Sequence, residues 1–128
     1  AGRKHNILTV AVTVLTSMDA SELAAVGLSA DAEGQVVRLA QLAADAGLGC
    51  AVCSSWEIGP LRQHCGEDFA LVVPGIRPAG SARGDQRRIM TPAEAANAGA
   101  DYIVVGRPIT RAPDPEAAAH DVLRELTA

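Results

Sequence analysis

A chain of 128 residues has the length of one domain, and 48% hydrophobic residues is too many for a disordered segment. Aromatics make up only 2% (Trp56, Phe69 and Tyr102), so a core must be aliphatic and Ala-rich, as in parallel sheets covered by helices. A formal net charge of −4 without a basic, aromatic face argues against nucleic acid, no run nears the roughly 18 apolar residues of a membrane span, and a cytoplasmic setting is expected.

Residues 7–15 (ILTVAVTVL) are the first predicted strand. This stretch carries Thr9 and Thr13 and lacks the small-residue cleavage site of a signal peptide. A short helix follows, with Asp19 as N-cap, Glu22 three residues on and Gly27 as its stop. A longer helix is predicted over 32–46, its apolar stripe made by Val36, Leu39, Ala40 and Ala43, and Gly47 ends it. The second strand is 51–54. Ser54 and Glu57 then form a capping box for a helix that stops near Gly66, with Pro60 tolerated in its first turns.

Residues 70–73 are the third strand, and a long loop with Gly and Arg runs over 74–90. Thr91, Pro92 and Glu94 make a strong helix start that Gly99 closes. The fourth strand is 102–105, left through Gly106-Arg107-Pro108, and Asp114-Pro115-Glu116 opens a last helix to about Leu126. Strands separated by helical crossovers imply an α/β fold with a parallel sheet and right-handed connections. A full (β/α)₈ barrel has eight such units and typically about 250 residues. Four units fit either a small open α/β domain or half a barrel.

Cys50, Cys53 and Cys65 do not form a disulfide framework. Cys50 and Cys53 have CxxC spacing, but on a strand residues three apart face opposite sides, so they read as structural. His5, His64 and His120 lie near a terminus or on helices and share no ligand spacing, so no metal site is expected.

Parallel α/β folds bind ligands at the C-terminal ends of their strands. Thr16 and Ser17 leave the first strand, Pro74-Gly75-Ile76-Arg77 the third and Gly106-Arg107-Pro108 the fourth. Arg77 and Arg107 follow strands expected to be neighbours, Gly75 and Gly106 let backbone amides approach a ligand, and Gln86 adds amide donors from the loop between. Together they suit a phosphate. A single Arg there would read as a solvated loop charge; two at equivalent strand ends favour phosphate binding. Thr16 and Ser17 either hydrogen-bond a polar ring or sugar, or Ser17 helps cap the following helix. Lys4 is the sole lysine, and no acid, base or nucleophile stands out at the rim.

These residues carry a family resemblance. Val12-Thr13-Val14-Leu15-Thr16-Ser17-Met18 resembles the fifth strand and following loop of orotidine 5′-phosphate decarboxylases. Residues 74–78 (PGIRP), 84–92 (GDQRRIMTP) and 106–110 (GRPIT) resemble the seventh- and eighth-strand motifs of bacterial members. The resemblance covers nearly the whole chain in order and implies the C-terminal half of a TIM (β/α)₈ barrel, residues 1–128 forming one four-unit domain. It implies a carboxy-lyase of pyrimidine biosynthesis that converts orotidine 5′-monophosphate to UMP, with neither metal nor organic cofactor, as a homodimer. By position, Arg77, Gln86, Gly106 and Arg107 would hold the 5′-phosphate, Thr16 would bond the pyrimidine, and Pro74 would wall its ring. The loop 78–88 would close over the phosphate.

The family's catalytic Asp-x-Lys-x-x-x-Asp array falls before this chain begins, and no residue here matches it. Catalytic residues are therefore expected on a partner, an N-terminal half-barrel or missing segment. Two alternatives stay open: a related metal-dependent phosphosugar decarboxylase or synthase, and a non-catalytic phosphate-binding or assembly half-barrel.

Overall fold

The computed structural model describes residues 7–29, 31–79 and 90–127. Short polar signals start most of its helices. Helix α1 (Ala20–Ala25) is capped by Asp19, whose carboxylate accepts from the Ser21 and Glu22 amides, while Glu22 accepts from Asp19 N at 2.9 Å. Helix α2 (Ala32–Asp45) begins with Asp31 accepting from Gly34 N at 2.9 Å. A 3₁₀ turn, Ser55–Glu57, precedes α3 (Ile58–Cys65), so the predicted capping box at Ser54 opens that turn and not the helix itself. Buried Glu57 accepts from Ser54 N at 2.6 Å.

Helix α4 (Pro92–Ala98) has the reciprocal Thr91–Glu94 box, with bonds of 2.8 and 3.2 Å. A one-turn helix α5 (Arg107–Thr110) stands where the sequence suggested only an exit from the strand. Helix α6 (Pro115–Leu126) is capped by Asp114, which accepts from Ala117 N at 3.0 Å. Each such cap contributes about 1 kcal/mol.

Four strands, β1 (Ala11–Val12), β2 (Cys50–Val52), β3 (Ala70–Pro74) and β4 (Tyr102–Val104), form a parallel sheet in the order β1-β2-β3-β4. The alternation of strands and helices is the parallel β/α architecture expected. The first strand is far shorter than the expected 7–15. Among the described residues it is an edge strand whose neighbour, β2, is three residues long, so Ile7 and Leu8 extend beyond that partner and are exposed.

Register divides the sheet into two faces, because neighbouring side chains on a strand point opposite ways. Ala11, Ala51 and Leu71 line up across three strands, and Val73 pairs with Ile103. These residues pack with Val36 and Ala40 of α2, Ile58 and Leu61 of α3 and Ala95 of α4 in one core. The other row is Val12, Val52, Val72 and Tyr102, with Pro74 beside Val104. It lies outside that core, and Val12 (65%), Tyr102 (53%) and Val104 (49%) are exposed. Cys53 belongs to the helix-covered core and Cys50 does not, which puts the two sulfurs on opposite faces as the spacing required. All three cysteines are thiols.

At the N-terminal ends of β3 and β4, Arg62 of α3 ties the chain together. Its guanidinium donates to the carbonyls of Gly66, Glu67, Phe69 and Gly99, the shortest bonds being 2.7 Å, and to Asp101 at 2.5 Å. The same Asp101 oxygen accepts from Leu71 N at 2.7 Å.

Candidate functional site

The C-terminal end of β3 is Pro74, and Gly75 turns the chain away from it with φ 79°, a left-handed conformation that glycine adopts without strain. Buried Ile76 and Arg77 follow. Ile76 pairs with Met90 in a parallel bridge, and Arg77 N donates to Met90 O at 3.0 Å, so the far end of the loop returns beside its beginning. On the neighbouring strand, Gly106 heads α5. Its carbonyl accepts from Ile109 N at 2.9 Å and Thr110 N at 3.0 Å, and Arg107 is the first residue of the helix.

These two exits enclose a cavity of about 130 Å³ lined by Pro74, Gly75, Ile76, Arg77, Val104, Gly106 and Arg107. Four residues picked out from sequence, Pro74, Arg77, Gly106 and Arg107, thus meet at one place. Arg77 is 9% exposed and Arg107 half-buried. Among the described residues, chain neighbours aside, a Cβ on Gly106 would meet no atom within 4 Å, so their packing does not demand a glycine there. Each guanidinium offers up to five donors in a planar fork suited to phosphate or carboxylate oxygens. No carboxylate, imidazole or thiol is among the described residues lining the cavity. The charged groups it presents are cationic.

Thr16 is not part of this lining. It lies half-buried in the turn after β1, two strands away at the same end of the sheet. That turn is set by Met18 N donating to Leu15 O at 2.9 Å, and Thr13 Oγ1 donates to Val52 O at 2.8 Å. Gln86, with most of the loop 78–88, lies outside the described residues. Sequence reasoning did not single out Val104, the exposed end of β4 that faces this space. Its signal was its place in the strand, two residues before Gly106.

Other reactive groups lie elsewhere. The Cys53 thiol is pushed up to about 12, mainly by burial and then by the Glu57 carboxylate. Burial also raises Cys50 and Cys65, helped by Asp101 and Asp45 respectively. Protonated, buried thiols make poor nucleophiles. His64 is exposed on α3 with Nδ1 2.8 Å from Pro60 O, His120 is exposed on α6, and His5 lies outside the described residues. Among the described residues, no group of three or more His, Cys, Asp or Glu side chains could hold a metal ion, and no helix is long and apolar enough to cross a membrane.

Similar proteins place this geometry in a known family. The family model described as "Orotidine 5′-phosphate decarboxylase / HUMPS family" matches residues 1–122. The orotidine 5′-phosphate decarboxylase of Gluconobacter oxydans is 59% identical over 117 residues, 91% of this chain and 50% of that protein. That of Opitutus terrae is 58% identical over 120 residues, 94% of this chain and 52% of its own length. The crystal structure of orotidine 5′-phosphate decarboxylase from Lactobacillus acidophilus superposes with a TM-score of 0.79 at 37% identity, over 95% of this chain and 50% of the other. An uncharacterized conserved protein from Geobacillus kaustophilus gives 0.73 at 33% identity, over 91% of this chain and 47% of the other. The chain spans about half the length of the curated relatives it matches. With the family model covering 122 of its residues and a parallel β/α sheet that fits half of a relative's fold, the chain belongs to the orotidine 5′-phosphate decarboxylase / HUMPS family.

Proposed function

We propose that this chain is the C-terminal half-barrel of an orotidine 5′-phosphate decarboxylase, a carboxy-lyase that converts orotidine 5′-monophosphate to UMP. The observation that carries the reading is the cavity between the exits of β3 and β4, where Pro74, Arg77, Gly106 and Arg107 come together. In this reading Arg77 and Arg107 grip the 5′-phosphate with the Gly106 backbone, and Gln86 joins them from its loop. Pro74 walls the pyrimidine and Thr16 bonds it from the end of β1. A bound phosphate would contribute most by holding the base in place, so that binding energy remote from the reacting carbon is used there.

The chemistry itself falls to an N-terminal half-barrel carrying the Lys/Asp array, with proton delivery to the ring carbon that loses CO₂. The uncovered row Val12, Val52, Val72 and Tyr102 and the two open edges, β1 and β4, suit such a partner. A homodimer of completed barrels in the cytoplasm is part of the same proposal, and buried cysteines kept as thiols fit a reducing setting.

The test is co-expression with an N-terminal half carrying the Lys/Asp array, followed by a decarboxylation assay. Activity is expected only from the pair, and Arg77→Ala with Arg107→Ala should abolish it at ordinary substrate levels. Wild-type activity from this chain alone, or an active pair indifferent to both arginines, would overturn the reading.

A further inference from the structure

Three backbone positions follow Ile76 before the described residues stop: Arg77, Pro78 and Ala79. Pro78 has no N–H. Arg77 N donates to Met90 O at 3.0 Å, and Ala79 N donates to Glu125 Oε1 at 3.1 Å. Every backbone donor of this segment is therefore held, one by the returning loop and the other by a side chain 46 residues away. Glu125 is half-buried in the last turn of α6, a helix that packs on both α4 and α5 and is anchored by buried Val122. Helix α5 begins with Arg107. One carboxylate outside the cavity lining thus links the elements that border it, since it grows from the helix packed on α5 and grasps the backbone two residues after Arg77.

We infer that Glu125 is a positioning residue for the anion site: by holding the Ala79 amide it fixes the exit of β3, and with it Arg77, relative to α5 and Arg107. The inference rests on the reading of this cavity as a phosphate site. Two guanidiniums bind one phosphate well only at a set separation, because misplacing either loses its paired hydrogen bonds. A neutral glutamine keeps an acceptor oxygen for the amide, whereas alanine removes it.

The test titrates inorganic phosphate and UMP into the full chain, comparing wild type with Glu125→Ala, Glu125→Gln and Ala79→Pro. The last deletes the donor and leaves α6 intact. Loss of a charge-assisted bond that orders a ligand-holding segment should weaken binding about tenfold in Glu125→Ala and Ala79→Pro. Glu125→Gln should stay within about threefold of wild type, with the melting temperature little changed. Unaltered binding in Glu125→Ala, or weakening there with Ala79→Pro unaffected, would overturn the inference. If wild type binds neither probe, the phosphate reading fails on its own. Hydrogen exchange of the Ala79 amide then decides the tether: protection in wild type and Glu125→Gln but not in Glu125→Ala supports it, and equal exchange in all three refutes it. If the alanine variant does not fold, the wild-type amide decides alone: protection at Ala79 supports the tether, and exchange at the rate of an open amide refutes it.

Discussion

At the N-terminal end of the sheet, Arg62 directs its guanidinium to four carbonyls and one carboxylate of its own chain, with its side chain only 13% exposed. At the C-terminal end, Arg77 and Arg107 border a cavity of about 130 Å³ that opens to solvent, and no carboxylate is among its described lining residues. The same residue type closes the fold at one end and lines the proposed phosphate site at the other. Parallel β/α architecture makes this division natural, because every strand starts at one rim and ends at the other. Stability and ligand binding can therefore be altered separately.

The strongest way to test that separation is Arg62→Ala. It leaves the part-buried Phe69 and Gly99 carbonyls without their donor and removes the ion-pair partner of Asp101, and breaking such a network costs about 3 kcal/mol. Denaturant unfolding should show the loss, and phosphate affinity of the folded protein should be unchanged. Arg62→Lys should recover little, since an ammonium cannot reach the same spread of acceptors. The Arg62–Glu67 contact at 4.0 Å adds nothing to this figure, Glu67 being almost fully exposed.

The mirror experiment is Arg107→Ala. Phosphate and UMP binding should weaken by about 2 kcal/mol, roughly thirtyfold, as read by calorimetry. The unfolding midpoint should barely move. A large stability loss in Arg107→Ala, or a binding loss in Arg62→Ala, would dissolve the contrast between the two ends.

The smallest effect concerns Glu94, outside both sites. Bonds to the Thr91 backbone, then to its side chain, hold its carboxyl below the usual glutamate range. A folded-state pKa lowered in this way gives stability that is present above the ordinary glutamate pKa and is lost as pH falls through the lowered one. In Glu94→Gln the acid side of the unfolding-midpoint profile should flatten slightly against wild type, with phosphate affinity unaltered at neutral pH.

Much of the rim was legible in the sequence because its signals are local. Gly75 before Arg77 and Gly106 before Arg107 mark strand exits, and the capping residues Asp19, Thr91 and Asp114 sit directly ahead of the helices they start. The Arg62 junction was not legible, since its acceptors at Gly99 and Asp101 are 37 and 39 residues away and no pattern in α3 announces them. The Ala79–Glu125 bond is hidden for the same reason. Helix α5 escaped notice because a proline after glycine and arginine reads as a break, although the first turn of a helix accepts proline. The first strand was overdrawn because β-branched residues give a strand pattern whether or not a neighbour is long enough to pair with them.

Cys50 of β2 and Cys53, just past its end, give the molecule a pair of built-in reporters. Both are fully buried, and only Cys53 sits in the helix-packed core. A thiol reagent can reach Cys53 only when helices lift from the sheet, whereas Cys50 answers to openings outside that core. The ratio of their labelling rates is therefore a gauge of whether the helix-packed core or its surroundings opens first.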